Sequence, residues 1–205
     1  MQASFPLAPV PSIPEIRLHK ATTASGLWRF ADADRAFDSP YWAYHWGGGL
    51  ALARYVLDNP ETIAGKTVLD LGAGSGLVAI AAARAGAAHV TAVDVDRYAI
   101  VASTLNAAAN NAAVATLHAD LTTGASPQAD VLLVADLFYD STLAQRVTAF
   151  LDRCLAAGIT ILVGDPWRTY LPRQRLRLMA EYPGIDFGGS ATGATNAVFA
   201  WTNGN

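Results

Sequence analysis

One run of residues, Asp70-Leu71-Gly72-Ala73-Gly74-Ser75-Gly76, constrains this chain more than any other. It ends a short β-branched and aliphatic stretch, Thr67–Leu71, and leads into Gly76–Ala85, which is apolar on nearly every face. Glycines permit positive φ and let backbone N–H groups come close to a ligand. They also cost conformational entropy, which an ordinary connection has no reason to spend. A strand, a glycine-rich turn and a buried helix in that order form the opening unit of a parallel sheet that holds a nucleotide-like ligand.

The rest of the chain continues the alternation. His89–Val95, Ala115–Ala119, Val131–Ala135, Ile159–Val163 and Ala197–Trp201 read as strands. Arg97–Asn110 and Ser141–Ala157 read as helices, the second with Ser141 as N-cap and Gly158 as its stop. Pro172–Tyr182 reads as an Arg-rich amphipathic helix with proline in its first turn. Val131–Ala135 is wholly aliphatic, as a central strand covered on both faces should be. The expectation is an α/β fold, a Rossmann-like, mostly parallel twisted sheet with helices on both faces. Pro6, Pro9, Pro11 and Pro14 predict an extended tail over residues 1–15, followed by a single domain over 16–205.

Bulk properties exclude several classes. Hydrophobic residues make up 52% and charged residues 15%, the balance of a globular chain. A net charge of −3 provides no global field for nucleic acid or a membrane surface. The single cysteine, Cys154, rules out an internal disulfide and reads as a small buried hydrophobe. The apolar stretch around Leu77–Ala83 is about half of what a bilayer requires. Met1–Ile16 contains no Lys or Arg, which argues against a secretory or transit peptide and for a cytoplasmic protein.

Ligands of such sheets lie beyond the carboxyl ends of the strands, so the residues just after each strand carry the chemistry. A dinucleotide fingerprint would place its third glycine at position 77, which is Leu; the glycines fall at 72, 74 and 76 instead. A carboxylate at Asp70 repels pyrophosphate but suits an α-amino group. Together these select S-adenosylmethionine (AdoMet), with S-adenosylhomocysteine (AdoHcy) as product. Asp94 stands where a carboxylate accepts both ribose hydroxyls, and Asp96 reads as the cap of the next helix. Asp120 is either a partner for the adenine amino group or a surface turn carboxylate. Asp136, behind the most aliphatic strand, can orient an amine, with Phe138 and Tyr139 beside it serving either the substrate or packing. Trp167 serves either the substrate entrance or packing, and Arg168 beside it is a candidate for the substrate entrance. No metal is expected.

Asp70–Gly76, Asp94 and Asp136-Leu137-Phe138-Tyr139 together resemble the seven-β-strand AdoMet methyltransferases, and within them the family 16 protein-lysine methyltransferases. Pro14–Leu18, the block from Pro40 to Tyr55, Asp58-Asn59-Pro60 and Gly164–Pro172 resemble the branch acting on the electron-transfer-flavoprotein β-subunit. The resemblance implies strand order 3-2-1-4-5-7-6 with the last strand antiparallel, preceded by a helical extension. It implies that Trp46 and the glycines after it line the AdoMet pocket, and that Asp136 and Tyr139 flank a target lysine. It further implies a protein substrate, the flavoprotein β-subunit or a ribosomal stalk protein, met by a monomer. His45 departs from the hydrophobic or aromatic residue expected there.

Two rivals remain at this level. One is a methyltransferase for a small amine or nucleobase, although Leu137-Phe138 replaces the paired prolines typical of nucleobase amino-methylases. The other is a non-catalytic AdoMet-binding interaction module. The row Arg173, Arg175 and Arg177 reads either as a solvated helix face or as a receiver for an acidic partner.

Overall fold

The computed structural model describes residues 5–22, 25–27, 37, 39–184 and 195–204. Strands β1 (Leu7–Val10) and β2 (Ile13–His19) form an antiparallel hairpin. A short 3-10 turn at Tyr41–Ala43 and helix α1 (Gly47–Asp58) follow. Then come β3 (Thr67–Leu71), α2 (Leu77–Arg84), β4 (His89–Asp94), α3 (Arg97–Ala109), β5 (Ala115–His118) and β6 (Val131–Ala135). Helix α4 (Ser141–Ala156), β7 (Thr160–Asp165), β8 (Leu176–Pro183) and β9 (Thr195–Trp201) complete the order.

The main sheet has seven strands in the order β5-β4-β3-β6-β7-β9-β8. Strands β3 to β7 pair in parallel, and β9 runs antiparallel to both β7 and β8. With the hairpin set aside, this is the expected order 3-2-1-4-5-7-6. Strand β6 shows why the sheet needs cover on both sides. Val131 and Leu133 enter one apolar cluster with α1 and α2, while Leu132 and Val134 enter a second with α4. Alternate side chains of a strand leave on opposite faces, so an all-aliphatic strand must be sandwiched.

Four local expectations are corrected. Residues 7–10 and 13–15 are extended, but they pair across a turn at Pro11 and Ser12 instead of forming a tail, and Ile13, Ile16 and Leu18 are fully buried. The boundary expected after residue 15 therefore falls inside β2, and the extension begins as a hairpin before it becomes helical at α1. Pro172–Tyr182 is not a helix; a 3-10 turn at Arg173–Arg175 leads into strand β8. The register slips between Leu178 and Ala180, so Leu176 packs on the α4 side while Ala180 and Tyr182 pack on the α1 side. That bulge breaks the period of two that would have marked the strand. The α4 cap is Asp140, not Ser141: its carboxylate accepts the Leu143 N–H at 2.9 Å. Asp96 does cap α3, through the Tyr98 N–H at 2.7 Å. Cys154 is fully buried.

Candidate active site

A cavity of about 550 Å³ opens across the carboxyl ends of β3, β4 and β6. A volume of that order suits a nucleoside-sized ligand. Its lining includes Trp46, Asp70, Gly72, Gly74, Asp94, Asp120, Asp136, Tyr139 and Arg168, which the chain brings in from six separate segments.

At one end stands the glycine turn. Gly72 and Ala73 donate their N–H groups to the Val93 carbonyl, which folds the turn back over β4. At Gly72, φ is +69°, which strains any L side chain, and an added Cβ would also lie 2.7 Å from the Leu137 side chain and push it aside. Asp94 braces the turn as well as facing the cavity. Its Oδ2 accepts the Gly74 N–H at 2.9 Å, and its Oδ1 accepts the Asp96 N–H at 2.9 Å. Each carboxylate oxygen carries two lone pairs, so these bonds leave acceptor capacity for two hydroxyls. Burial raises the Asp94 pKa, against the backbone N–H groups that favour the anion.

Asp70 is more deeply set, 1% exposed, and accepts the Ala79 N–H at 3.0 Å. Burial pushes its pKa up to about 7, with the nearby Asp94 charge acting in the same direction. Asp120 lies at the far wall. Its carboxylate takes the Thr122 hydroxyl at 2.6 Å and the Arg146 guanidinium at 3.3 Å, and the threonine contact holds its pKa low.

The opposite end is built around Asp136. This residue sits at φ +59°, a backbone conformation that non-glycine residues seldom adopt outside special sites. Its carboxylate accepts the Gly48 N–H at 3.1 Å and the Gly49 N–H at 2.7 Å, both from the first turn of α1. Arg168 donates to it at 2.9 Å. Asp136 therefore caps a helix that the sequence places far upstream, at the positive end of its dipole. Gly48 must be glycine for this seating, because a Cβ there would come within 2.2 Å of the Gly164 carbonyl oxygen on β7. Tyr139 is 47% exposed at the rim, with its ring centroid 5.5 Å from that of Tyr41. Trp46 donates its indole N–H to the Tyr41 carbonyl at 2.8 Å, and the Arg168 guanidinium lies 5.9 Å from its ring.

Several expected site residues have other positions. Phe138 is fully buried and stacks on Trp201, so it packs the core instead of lining the main cavity. Trp167 lies edge-on to Phe199 at 4.8 Å, with Arg173 over its ring, outside the main cavity lining. Gly76 starts α2 and packs against Ser103, again outside the lining. Of the glycines after Trp46, Gly49 lines the cavity while Gly47 and Gly48 pack against Asn196 and Gly164. Arg175 pairs with Asp152 at 2.9 Å, so the arginine row is not one solvated helix face. Among the described residues no cluster of His, Cys, Asp and Glu could hold a metal, and no helix is long and apolar enough to cross a membrane.

Other contributors escaped the sequence. Ser103 and Asn106, polar residues inside the Ala-rich α3, hold the Gly74 and Ser75 carbonyls at 2.9 and 2.8 Å. A buried polar pair in such a helix is the signal that could have marked them. His45 lines the cavity with both ring nitrogens shielded and without a hydrogen-bond partner; burial and the Lys20 charge lower its pKa.

Comparison with known proteins agrees with this geometry. Residues 51–189 match the family described as ribosomal protein L11 methyltransferase (PrmA). The electron transfer flavoprotein beta subunit lysine methyltransferase of Danio rerio is 40% identical over 166 residues, covering 80% of this chain and 64% of that protein. The Rattus norvegicus protein of the same name is 39% identical over 176 residues, covering 82% of this chain and 69% of its own length. The chain thus spans roughly two thirds of these relatives. The magnesium protoporphyrin IX methyltransferase of Synechocystis PCC 6803, solved with SAM bound, superimposes with a TM-score of 0.55 at 15% identity, over 89% of this chain and 92% of that one. That likeness concerns the fold. Family match, relatives and fold converge: the chain belongs to the PrmA-type methyltransferases, on the branch of the electron transfer flavoprotein beta subunit lysine methyltransferases.

Proposed function

We propose that this protein is an AdoMet-dependent protein-lysine N-methyltransferase acting on the electron-transfer-flavoprotein β-subunit, with a ribosomal stalk protein as a second substrate. The observation that carries the reading is one cavity joining the glycine turn and Asp94 to Asp136 and Tyr139 at its mouth. AdoMet supplies an electrophilic sulfonium methyl, whose S–C bond breaks as the lysine N–C bond forms. Asp70 faces the α-amino group, Asp94 takes the ribose hydroxyls, and Asp120 meets the adenine amino group. Gly72, Gly74 and Trp46 close around the ligand.

Asp136 orients the neutral lysine amine, and its bonds to the first turn of α1 make it a rigid reference for alignment. Tyr139 offers an oxygen or an aromatic face to the charge developing on nitrogen. Neither must be a strong base, because the ammonium can lose its proton to water as the lysine docks. Arg168, beside Asp136, receives an acidic feature of the protein substrate. The chain acts as a monomer.

The test is transfer of label from radiolabelled AdoMet to recombinant flavoprotein β-subunit and to lysate of a strain lacking this protein. Label on a lysine of one protein band supports the reading. Label confined to nucleic acid or small molecules, or ligand binding with no transfer at all, overturns it.

A further inference from the structure

The hairpin β1–β2 lies remote in sequence from the glycine turn, yet the two are joined through one helix. Helix α3 is rich in alanine, and Ser103, Asn106 and Asn110 form a polar stripe along it and its cap. Such spacing places them on one helix face. Asn110 accepts the Arg17 N–H at 3.0 Å and donates back to the Arg17 carbonyl at 2.6 Å. Asn106 accepts the His19 N–H at 2.8 Å. Arg17 and His19 are alternate residues of β2, about 6.7 Å apart along a strand. Asn106 and Asn110 are one turn apart, about 6 Å along a helix. The near match lets two asparagine side chains stand in for a neighbouring strand along β2.

The other end of the stripe reaches the cavity. Asn106, fully buried, donates to the Ser75 carbonyl at 2.8 Å, and Ser103 donates to the Gly74 carbonyl at 2.9 Å. A planar peptide points its N–H opposite its C=O. Drawing the Gly74 carbonyl toward α3 therefore turns the Ser75 N–H away from that helix, and Ser75 is one of the residues that line the cavity.

We propose that Asn106 is a positioning residue for the cofactor turn, and that through it the hairpin and the bound cofactor stabilise one another. One buried amide satisfies the hairpin with its oxygen and the turn with its nitrogen. Ordering either partner fixes the amide for the other, and the coupling is reciprocal. The inference rests on the reading that the cavity takes AdoMet.

Asn106→Asp separates the two arms, because a carboxylate still accepts the His19 N–H but no longer donates to the Ser75 carbonyl. The full chain is titrated with AdoHcy by calorimetry. Hydrogen exchange of the amides over Ile16–His19 is followed with and without AdoHcy. In the wild type, AdoHcy slows exchange in β2. In Asn106→Asp, AdoHcy affinity falls about 10-fold, the slowing is lost, and the KM for AdoMet rises while kcat at saturating AdoMet holds. Should that variant not fold, Ser103→Ala, which releases only Gly74, shows the same split of KM from kcat to a smaller degree. A lower melting temperature with unchanged AdoHcy affinity makes Asn106 merely structural and overturns the proposal. So does a wild-type β2 whose exchange ignores bound AdoHcy. Failure of the wild type to bind AdoHcy at all fails the cofactor reading first and this inference with it.

Discussion

The two ends of the cavity are held by contacts of different range. At the end proposed for the cofactor, Asp94 binds the N–H groups of Gly74 and Asp96, 20 and 2 residues away, within one strand–turn–helix–strand unit. At the end proposed for the acceptor, Asp136 binds Gly48 and Gly49, 88 and 87 residues upstream, and Arg168, 32 residues downstream. The cofactor end is thus assembled by local chain geometry and the acceptor end by packing of α1 against β6 and β7. The acceptor end concentrates the strain and charge pairing, with the positive φ of Asp136 and that of Trp167 just before Arg168. A binding end can rely on the local turn, whereas an aligning end needs a rigid anchor set by the whole fold.

The comparison breaks most visibly at Asp136. Asp136→Ala removes the proposed amine-orienting group and the α1 cap together. Turnover of the protein substrate should fall about 100-fold, the scale of misalignment, and stability should drop by about 1 kcal/mol from the lost cap. AdoHcy affinity should change little. Near-normal turnover in a methylation assay would sink the role given to Asp136, and a collapse of AdoHcy binding would show that the two ends are not separable.

Asp94→Ala probes the other end. Losing hydrogen bonds between a carboxylate and two hydroxyls should weaken AdoHcy binding about 10- to 100-fold. Some of that comes from the unbraced Gly74 turn. Calorimetry with unchanged affinity would contradict the ribose assignment.

A pH dependence is expected at Asp70. The folded Asp70 has a pKa of about 7, against an ordinary value of 3.8, chiefly because it is buried. Between those values the native protein holds a proton that the unfolded chain has released. Stability of the ligand-free protein therefore falls as pH rises through that window, with the loss complete above the folded pKa. Asp70→Asn should flatten this slope in melting temperatures taken from about pH 5 to about pH 8. An ammonium ligand needs the ionised form, so AdoHcy affinity should climb across the same range. A slope unchanged by the substitution would place the titration elsewhere.

Legibility in the sequence follows the same division. Gly72, Gly74, Asp94 and the Asp96 cap were readable because their partners sit within one supersecondary unit. The strand order required the resemblance, since residue patterns alone marked six strands and mistook β8 for a helix. Its bulge moves the buried face from the α4 side to the α1 side midway, so neither period holds over the whole segment. Phe138 and Trp167 show what adjacency leaves open: the sequence allows either a substrate or a packing role, and the fold stacks Phe138 on Trp201 and sets Trp167 edge-on to Phe199, both on β9.

The sequence by itself determined the alternating α/β architecture, the glycine turn that lines the cavity and the carboxylates after the strands, because period and local turn chemistry are written in neighbouring residues. Only the tertiary structure decided that Asp136 anchors α1 and that Asn106 of α3, flanked by Ser103 and the cap residue Asn110, ties the hairpin to the glycine turn. It also decided which aromatics reach the cavity. Those outcomes depend on which distant segments share buried space, where every polar group must find a partner that the local sequence does not name.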